Sequence, residues 1–193
     1  MNTRDGFLAI LLLAILTNYG CNPVRTNAPG SVDSQQNWQQ EITQAMPMMG
    51  HRNWLLITDR AFPKQQAPGF HYISADQELL PVLQEVLQRL HSARHIRPVI
   101  FLDRELGYLT EQLVPGITSF RDSMKTALQA YPVQTILHDS VFTKMAVASR
   151  LFDIWVLKTT ELKPYTSVFI ELNCGYWSDE NEKALRDIMR HAH

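Results

Sequence analysis

The sequence predicts an α/β protein of three layers, a mainly parallel sheet flanked by helices. Two observations lead there. Short apolar runs such as Trp54-Leu55-Leu56-Ile57-Thr58 are apolar at successive rather than alternate positions, as strands covered on both faces must be. These runs interleave with longer segments whose apolar residues recur at helical spacing, the order that strand-helix-strand crossovers produce.

Trp38, Ile42, Ala45 and Met46 recur at helical spacing, and this first helix stops at Met49-Gly50, where glycine suits a C-cap. Trp54 to Thr58 is the first strand, closed by Asp59 and Pro63. Leu79, Leu80, Val82, Leu83, Val86, Leu87 and Leu90 then form the strongest amphipathic pattern in the chain, a long helix. Pro98 to Leu102 is a second buried strand, and 117–128 has weaker helical periodicity. Val133 to Leu137 is strand-like, and 141–152 is helical with Phe142, Met145, Ala146 and Ala148 on its apolar side. Ile154 to Leu157 and Val168 to Leu172 supply two more strands. The chain closes on a helix from about Asp179, capped by Ser178 or Asp179.

Before this domain the composition differs. Arg4 precedes an apolar run from Phe7 to Leu16, followed by Gly20-Cys21 and a polar stretch, which reads as an export signal over 1–21. The apolar core is shorter than the roughly 20 residues that cross a bilayer. Gly20-Cys21 resembles the end of a bacterial lipobox, making Cys21 a candidate lipidation site, and 22–36 has the composition of a flexible tether. The domain proper then occupies 37–193, in the cell envelope, with membrane contact only through the N-terminal lipid or signal. Cys21 and Cys174 are the only cysteines among the 193 residues, so no disulfide framework is expected.

Charge narrows the ligand class. With 18 basic and 19 acidic residues interspersed, the net charge of -1 gives no footprint for nucleic acid or an anionic bilayer. A small neutral ligand is expected. No glycine-rich phosphate loop, paired CxxC, HExxH or serine-hydrolase elbow is present, so no cofactor is expected. His91 and His95, and His191 with His193, have metal-like spacing but no third ligand in view, so no metal is expected. In sheets of this kind ligands bind beyond the carboxyl ends of the strands, and Asp59, Asp103 and His138 each fall just after a strand.

The segment Gly50-His51-Arg52-Asn53-Trp54-Leu55-Leu56-Ile57-Thr58-Asp59-Arg60-Ala61-Phe62-Pro63 joins a histidine before a buried strand to an aspartate after it. This pattern resembles the signature of the RbsD/FucU family, D-ribose pyranase and L-fucose mutarotase. The resemblance continues at Ile73-Ser74-Ala75-Asp76, at Phe142-Thr143-Lys144-Met145-Ala146 and at Tyr165-Thr166-Ser167. It implies that His51 is the acid/base residue, that Asp59 binds sugar hydroxyls, and that the family's Tyr-x-Asn element falls on Tyr165 and Ser167. A further sugar-binding position lands at His138 or Asp139. Asn53 and Ser167 depart from the residues usual in that family, and the stretch between Phe142 and Tyr165 is longer.

Opening a cyclic sugar requires the anomeric hydroxyl to lose a proton while the ring oxygen gains one. A histidine, with an unperturbed pKa of about 6.5, suits both transfers, and a carboxylate can grip two adjacent hydroxyls. The expected activity is therefore that of a monosaccharide mutarotase or pyranase acting on a free pentose, deoxyhexose or hexose. The alternative is an envelope lipoprotein that binds a sugar without catalysis. Eight residues of extended chain could hold His51 and Asp59 up to roughly 26 Å apart. Either 50–53 bends sharply back, or His51 of one subunit meets Asp59 of another. The resemblance favours the second, and hence a homo-oligomer.

Overall fold

The structure, a computed structural model, describes residues 38–192. The expected export signal, the candidate lipidation site at Cys21 and the tether lie outside the described residues. None of the described helices is long and apolar enough to cross a membrane.

The elements run α1 (Trp38–Ala45), a 3-10 turn (Met46–Met48), β1 (Trp54–Thr58), β2 (Phe70–Ser74), α2 (Leu79–Ser92) and β3 (Ile96–Asp103). A second 3-10 turn (Arg104–Tyr108), α3 (Ile117–Leu128), β4 (Val133–Ile136), α4 (His138–Ala148), β5 (Ile154–Lys158), β6 (Val168–Cys174) and α5 (Asp179–His191) follow. The strands form one six-stranded sheet in the order β2-β5-β1-β6-β3-β4. Pairing is parallel between β2 and β5, β5 and β1, and β3 and β4, whereas β6 is antiparallel to both its neighbours. Every strand except β6 therefore points the same way.

Alternation along β1 shows why the sheet needs cover on both sides. Leu55 and Ile57 join a core built with α1, α2 and α3, while Trp54 and Leu56 join a second core with Val141 and Met145 of α4. All five residues of β1 are buried. The apolar stripe of α2 (Leu79, Val82, Leu83, Val86, Leu87 and Leu90) is buried as its periodicity predicts. On the α4 side, Phe169 packs against Phe62, and Trp54 stacks on Phe101 at 5.7 Å.

The structure adds one strand the sequence did not disclose. β2 is an edge strand with a single buried residue, Ile73, and His71 and Tyr72 interrupt its apolar character. It closes onto the sheet at Gly69, whose carbonyl accepts the Ile154 N–H at 2.8 Å. The backbone that leaves α4 passes so close that a Cβ on Gly69 would lie 2.5 Å from the Ser149 carbonyl oxygen. Boundaries also move: α4 runs His138–Ala148 rather than 141–152, the strand expected over Pro98 to Leu102 runs Ile96–Asp103, and α2 ends at Ser92, so His95 does not share a helix with His91. Ser178 caps α5, accepting the Asn181 N–H at 3.1 Å, and α5 buries none of its side chains.

Candidate active site at the carboxyl rim of the sheet

The five co-directional strands end along one rim, and β6, running against them, begins there. Residues that follow β1, β3 and β4 and residues that precede β6 are thus delivered to one edge. Asp59 and His138 come from the first group, Asp103 is the last residue of β3, and Tyr165 and Ser167 come from the second.

Asp59 and Ser167 are joined at this rim. Ser167 Oγ donates to Asp59 Oδ2 at 2.8 Å and accepts the Asp59 backbone N–H at 3.1 Å. Asp59 Oδ1 accepts the Ala61 N–H at 2.9 Å, closing the turn toward Pro63. A carboxylate offers about four acceptor positions, so half of its capacity is left for a ligand. Ser167 is buried and its only donor is engaged by Asp59, so its hydroxyl acts chiefly by fixing that carboxylate.

His138 and Asp103 form a second pair, at 2.9 Å between Nδ1 and Oδ2. Asp103 is only 1% exposed, and its Oδ1 is buried without a hydrogen-bond partner. Burial pushes the Asp103 carboxyl up to about 6, against the pull of the His138 ring, and the nearby charges of Glu105 and Asp59 raise it further. A bond to an ionised carboxylate must be donated, so the His138 proton resides on Nδ1 whenever Asp103 is charged. In the neutral ring Nε2 is then the acceptor, and it has no protein partner among the described residues. Glu105 steadies the same residue from its backbone side. Its two oxygens accept the His138 N–H at 3.2 Å each, setting an anion at the positive end of α4.

Aromatic rings tie the two pairs together. The His138 ring meets Tyr165 edge-on at 5.3 Å and Phe142 at 4.9 Å, and Phe142 stacks at 5.6 Å on Phe62 from the Asp59 loop. Tyr165 is held at a φ of 58°, a left-handed conformation that costs a non-glycine residue roughly 1–2 kcal/mol. Its loop is pinned from both sides: Thr166 Oγ1 donates to the Lys163 carbonyl at 2.7 Å, and the Arg60 N–H donates to the Glu161 carbonyl at 2.8 Å. A cleft of about 370 Å³ opens alongside, over the ends of β2 and β5, lined by Arg60, Tyr72, Ser74, Asp76, Lys158 and Thr160.

The structure thus brings Asp59, His138, Tyr165 and Ser167 to one rim, with Asp139 exposed one residue beyond His138. His51 lies elsewhere. It sits in an exposed turn before β1, where Arg52 Nε donates to its Nε2 at 3.3 Å. The chain does bend at 50–53, with the Asn53 N–H donating to the Gly50 carbonyl at 3.1 Å and Arg52 at a φ of 74°. The bend stays at the amino end of β1, and four strand steps of about 3.3 Å each still separate Trp54 from Thr58, about 13 Å. Within this chain His51 and Asp59 occupy opposite ends of the sheet.

Sequence reasoning placed Asp103 after a strand without giving it a role, and its pairing with His138 follows only from the alignment of β3 beside β4. Glu105 carried no sequence signal at all. Among the aromatics, Trp54 is core, Phe70 stacks on Tyr72, and Trp177 Nε1 donates to Glu182, whereas Tyr165 and Phe142 both border His138. His95 is occupied by the Met49 carbonyl, at 3.1 Å from its Nε2.

No protein-family model and no curated protein matches this chain. Among solved structures it is similar to Bacillus subtilis RbsD complexed with D-ribose, at 13% identity over 72% of this chain and 93% of that one, with a TM-score of 0.48. The fucose mutarotase of Streptococcus pneumoniae in complex with L-fucose is similar at 11% identity, over 70% of this chain and 93% of that one, with a TM-score of 0.49. FucU from Bifidobacterium longum is similar at 13% identity, over 68% and 92%, with a TM-score of 0.46.

Proposed function

We propose that this chain interconverts the ring forms of a free monosaccharide in the cell envelope, as a homo-oligomer whose sites are shared between copies. The observation that carries this reading is the meeting of Asp59, Ser167, His138 and Tyr165 at one rim, with acceptor positions on Asp59 and the Nε2 of His138 left unused by the protein. This is a neutral-ligand site: carboxylate and imidazole alternate with an aromatic face, the combination that matches sugar hydroxyls and the apolar face of the ring. His51, the acid/base residue implied by the sequence resemblance, reaches such a site only from a second copy. Its exposed position at the opposite end of the sheet suits it to that task.

The test uses the protein with a panel of pentoses, 6-deoxyhexoses and hexoses, following magnetisation exchange between ring forms by NMR. Accelerated exchange for at least one sugar is expected, together with a sedimentation coefficient above that of a monomer. Loss of exchange in His51→Ala, with mixed oligomers of His51→Ala and Asp59→Asn subunits regaining part of it, is the signature of a shared site. Binding without exchange would reduce the protein to a sugar-binding module, and a monomer with full activity would remove His51 from the site.

A further inference from the structure

We infer that His138, oriented by Asp103, is itself an acid/base residue of the ring-opening reaction and not only a contact to a sugar hydroxyl. This rests on the function proposed above and assigns its chemistry within the protomer. Ring opening moves protons at two different atoms. The anomeric O1–H bond breaks as its proton goes to a base, O1–C1 becomes a carbonyl, and the C1–O5 bond breaks with its electron pair passing to O5, which takes up a proton. Closure on the other face, or onto another hydroxyl, reverses these steps. The sugar's formula is unchanged, and no co-reactant is needed.

The geometry at His138 suits it to one of these transfers in a way that no other histidine at the rim shares. Asp103 holds Nδ1 at 2.9 Å, which restrains the ring and, when Asp103 is ionised, sets the Nδ1–H tautomer and leaves Nε2 as the lone-pair nitrogen of the neutral imidazole. The His138 side chain is one-third exposed while that of Asp103 is fully enclosed, so the imidazole can meet a ligand but its partner cannot. The second oxygen of Asp103 is buried with nothing bound to it, an expense in stability that ordinary packing does not require. Tyr165 and Phe142 flank the ring at 5.3 and 4.9 Å with their planes nearly perpendicular to it. Acceptance of a proton at Nε2 makes an imidazolium whose charge lies against the Asp103 carboxylate, the arrangement that stabilises such a cation without solvent. Asp103 is thus a positioning residue, and His138 is the group that touches the sugar.

Three measurements test the assignment. Long-range ¹H–¹⁵N correlation of the unliganded protein above pH 7 should show His138 as the Nδ1–H tautomer. In Asp103→Asn that preference should weaken, and kcat for sugar exchange should fall by about tenfold or more with little change in KM. His138→Gln, at a part-exposed position, should lower kcat by on the order of 10²-fold or more. A wild-type Nε2–H tautomer overturns the inference whether or not the variants fold. If the wild type exchanges sugars but both variants keep its kcat, the inference fails while the proposed function stands. If the wild type exchanges none of the panel, the proposed function fails and the inference falls with it.

Discussion

Between pH 4 and pH 6 the buried Asp103 carboxyl is expected to contribute a loss of stability as the solution becomes less acidic. Its carboxyl titrates at about 6 in the folded chain against 3.8 when solvated, because burial outweighs the help of His138 and the charges of Glu105 and Asp59 add to the burial effect. The folded state therefore binds more protons than the unfolded state across that window, so stability is fully present below 3.8 and declines as pH rises through 6. The window spans about two pH units at ~1.4 kcal/mol each, or about 3 kcal/mol in all. Urea denaturation of the wild type and of Asp103→Asn at pH 4.0 and 6.5 reads this contribution together with the reciprocal effect that loss of the Asp103 charge has on His138, Glu105 and Asp59. The wild type should lose about 2 kcal/mol more than the variant over the interval, because at pH 4.0 the unfolded-state carboxyl is already more than half ionised. Parallel pH profiles, or a larger loss in the variant, would show that the buried carboxyl carries no such cost and would refute the account of the site's electrostatics.

Other substitutions probe the supports of the rim. Glu105→Gln removes the anion that accepts the His138 N–H at the start of α4 and should cost about 1 kcal/mol in chemical denaturation, an effect that salt diminishes in the wild type. Ser167→Ala leaves the Asp59 N–H and carboxylate without their partner, so a stability loss of about 1–3 kcal/mol should accompany weaker sugar binding in titration calorimetry. Gly69→Ala forces a methyl group against the Ser149 and Phe152 carbonyl oxygens and should destabilise by about 1–3 kcal/mol, with amide exchange accelerated first in β2 and β5. Phe169→Ala empties the centre of the α4-side core and should cost about 3–5 kcal/mol by the same measurement of unfolding.

The architecture was legible because its central elements are buried on both faces. β1 and α2 announce themselves by residue type alone, Leu55 and Leu56 by successive apolar positions and Leu79 to Leu90 by helical recurrence. β2 was not legible because an edge strand needs only one buried face. His71 and Tyr72 serve that edge through Asp153 and the Gln65 N–H, contacts that leave no periodic trace. The rim was half legible. Asp59, Asp103 and His138 could be placed beyond strand ends from local pattern, but which of them meet depends on strand order. β4 lies beside β3 and β6 beside β1, pairings that span long stretches of chain and follow from no local signal. His51 shows the opposite case, since sequence places it eight residues from Asp59 while the sheet holds the two at its opposite ends.

The reversed course of β6 sets how such a site can diversify. Asp59, Asp103 and His138 stand on segments whose next residues are committed to turns or helices, whereas Tyr165 and Ser167 ride on a span that only has to travel from Lys158 to Val168. Insertions or deletions between Thr160 and Pro164 would reshape the mouth above the rim while strand register stays as it is, provided that Ser167 keeps its bond to the Asp59 carboxylate. On the proposed function, a new preference among ligands can therefore arise in this stretch without rebuilding the scaffold.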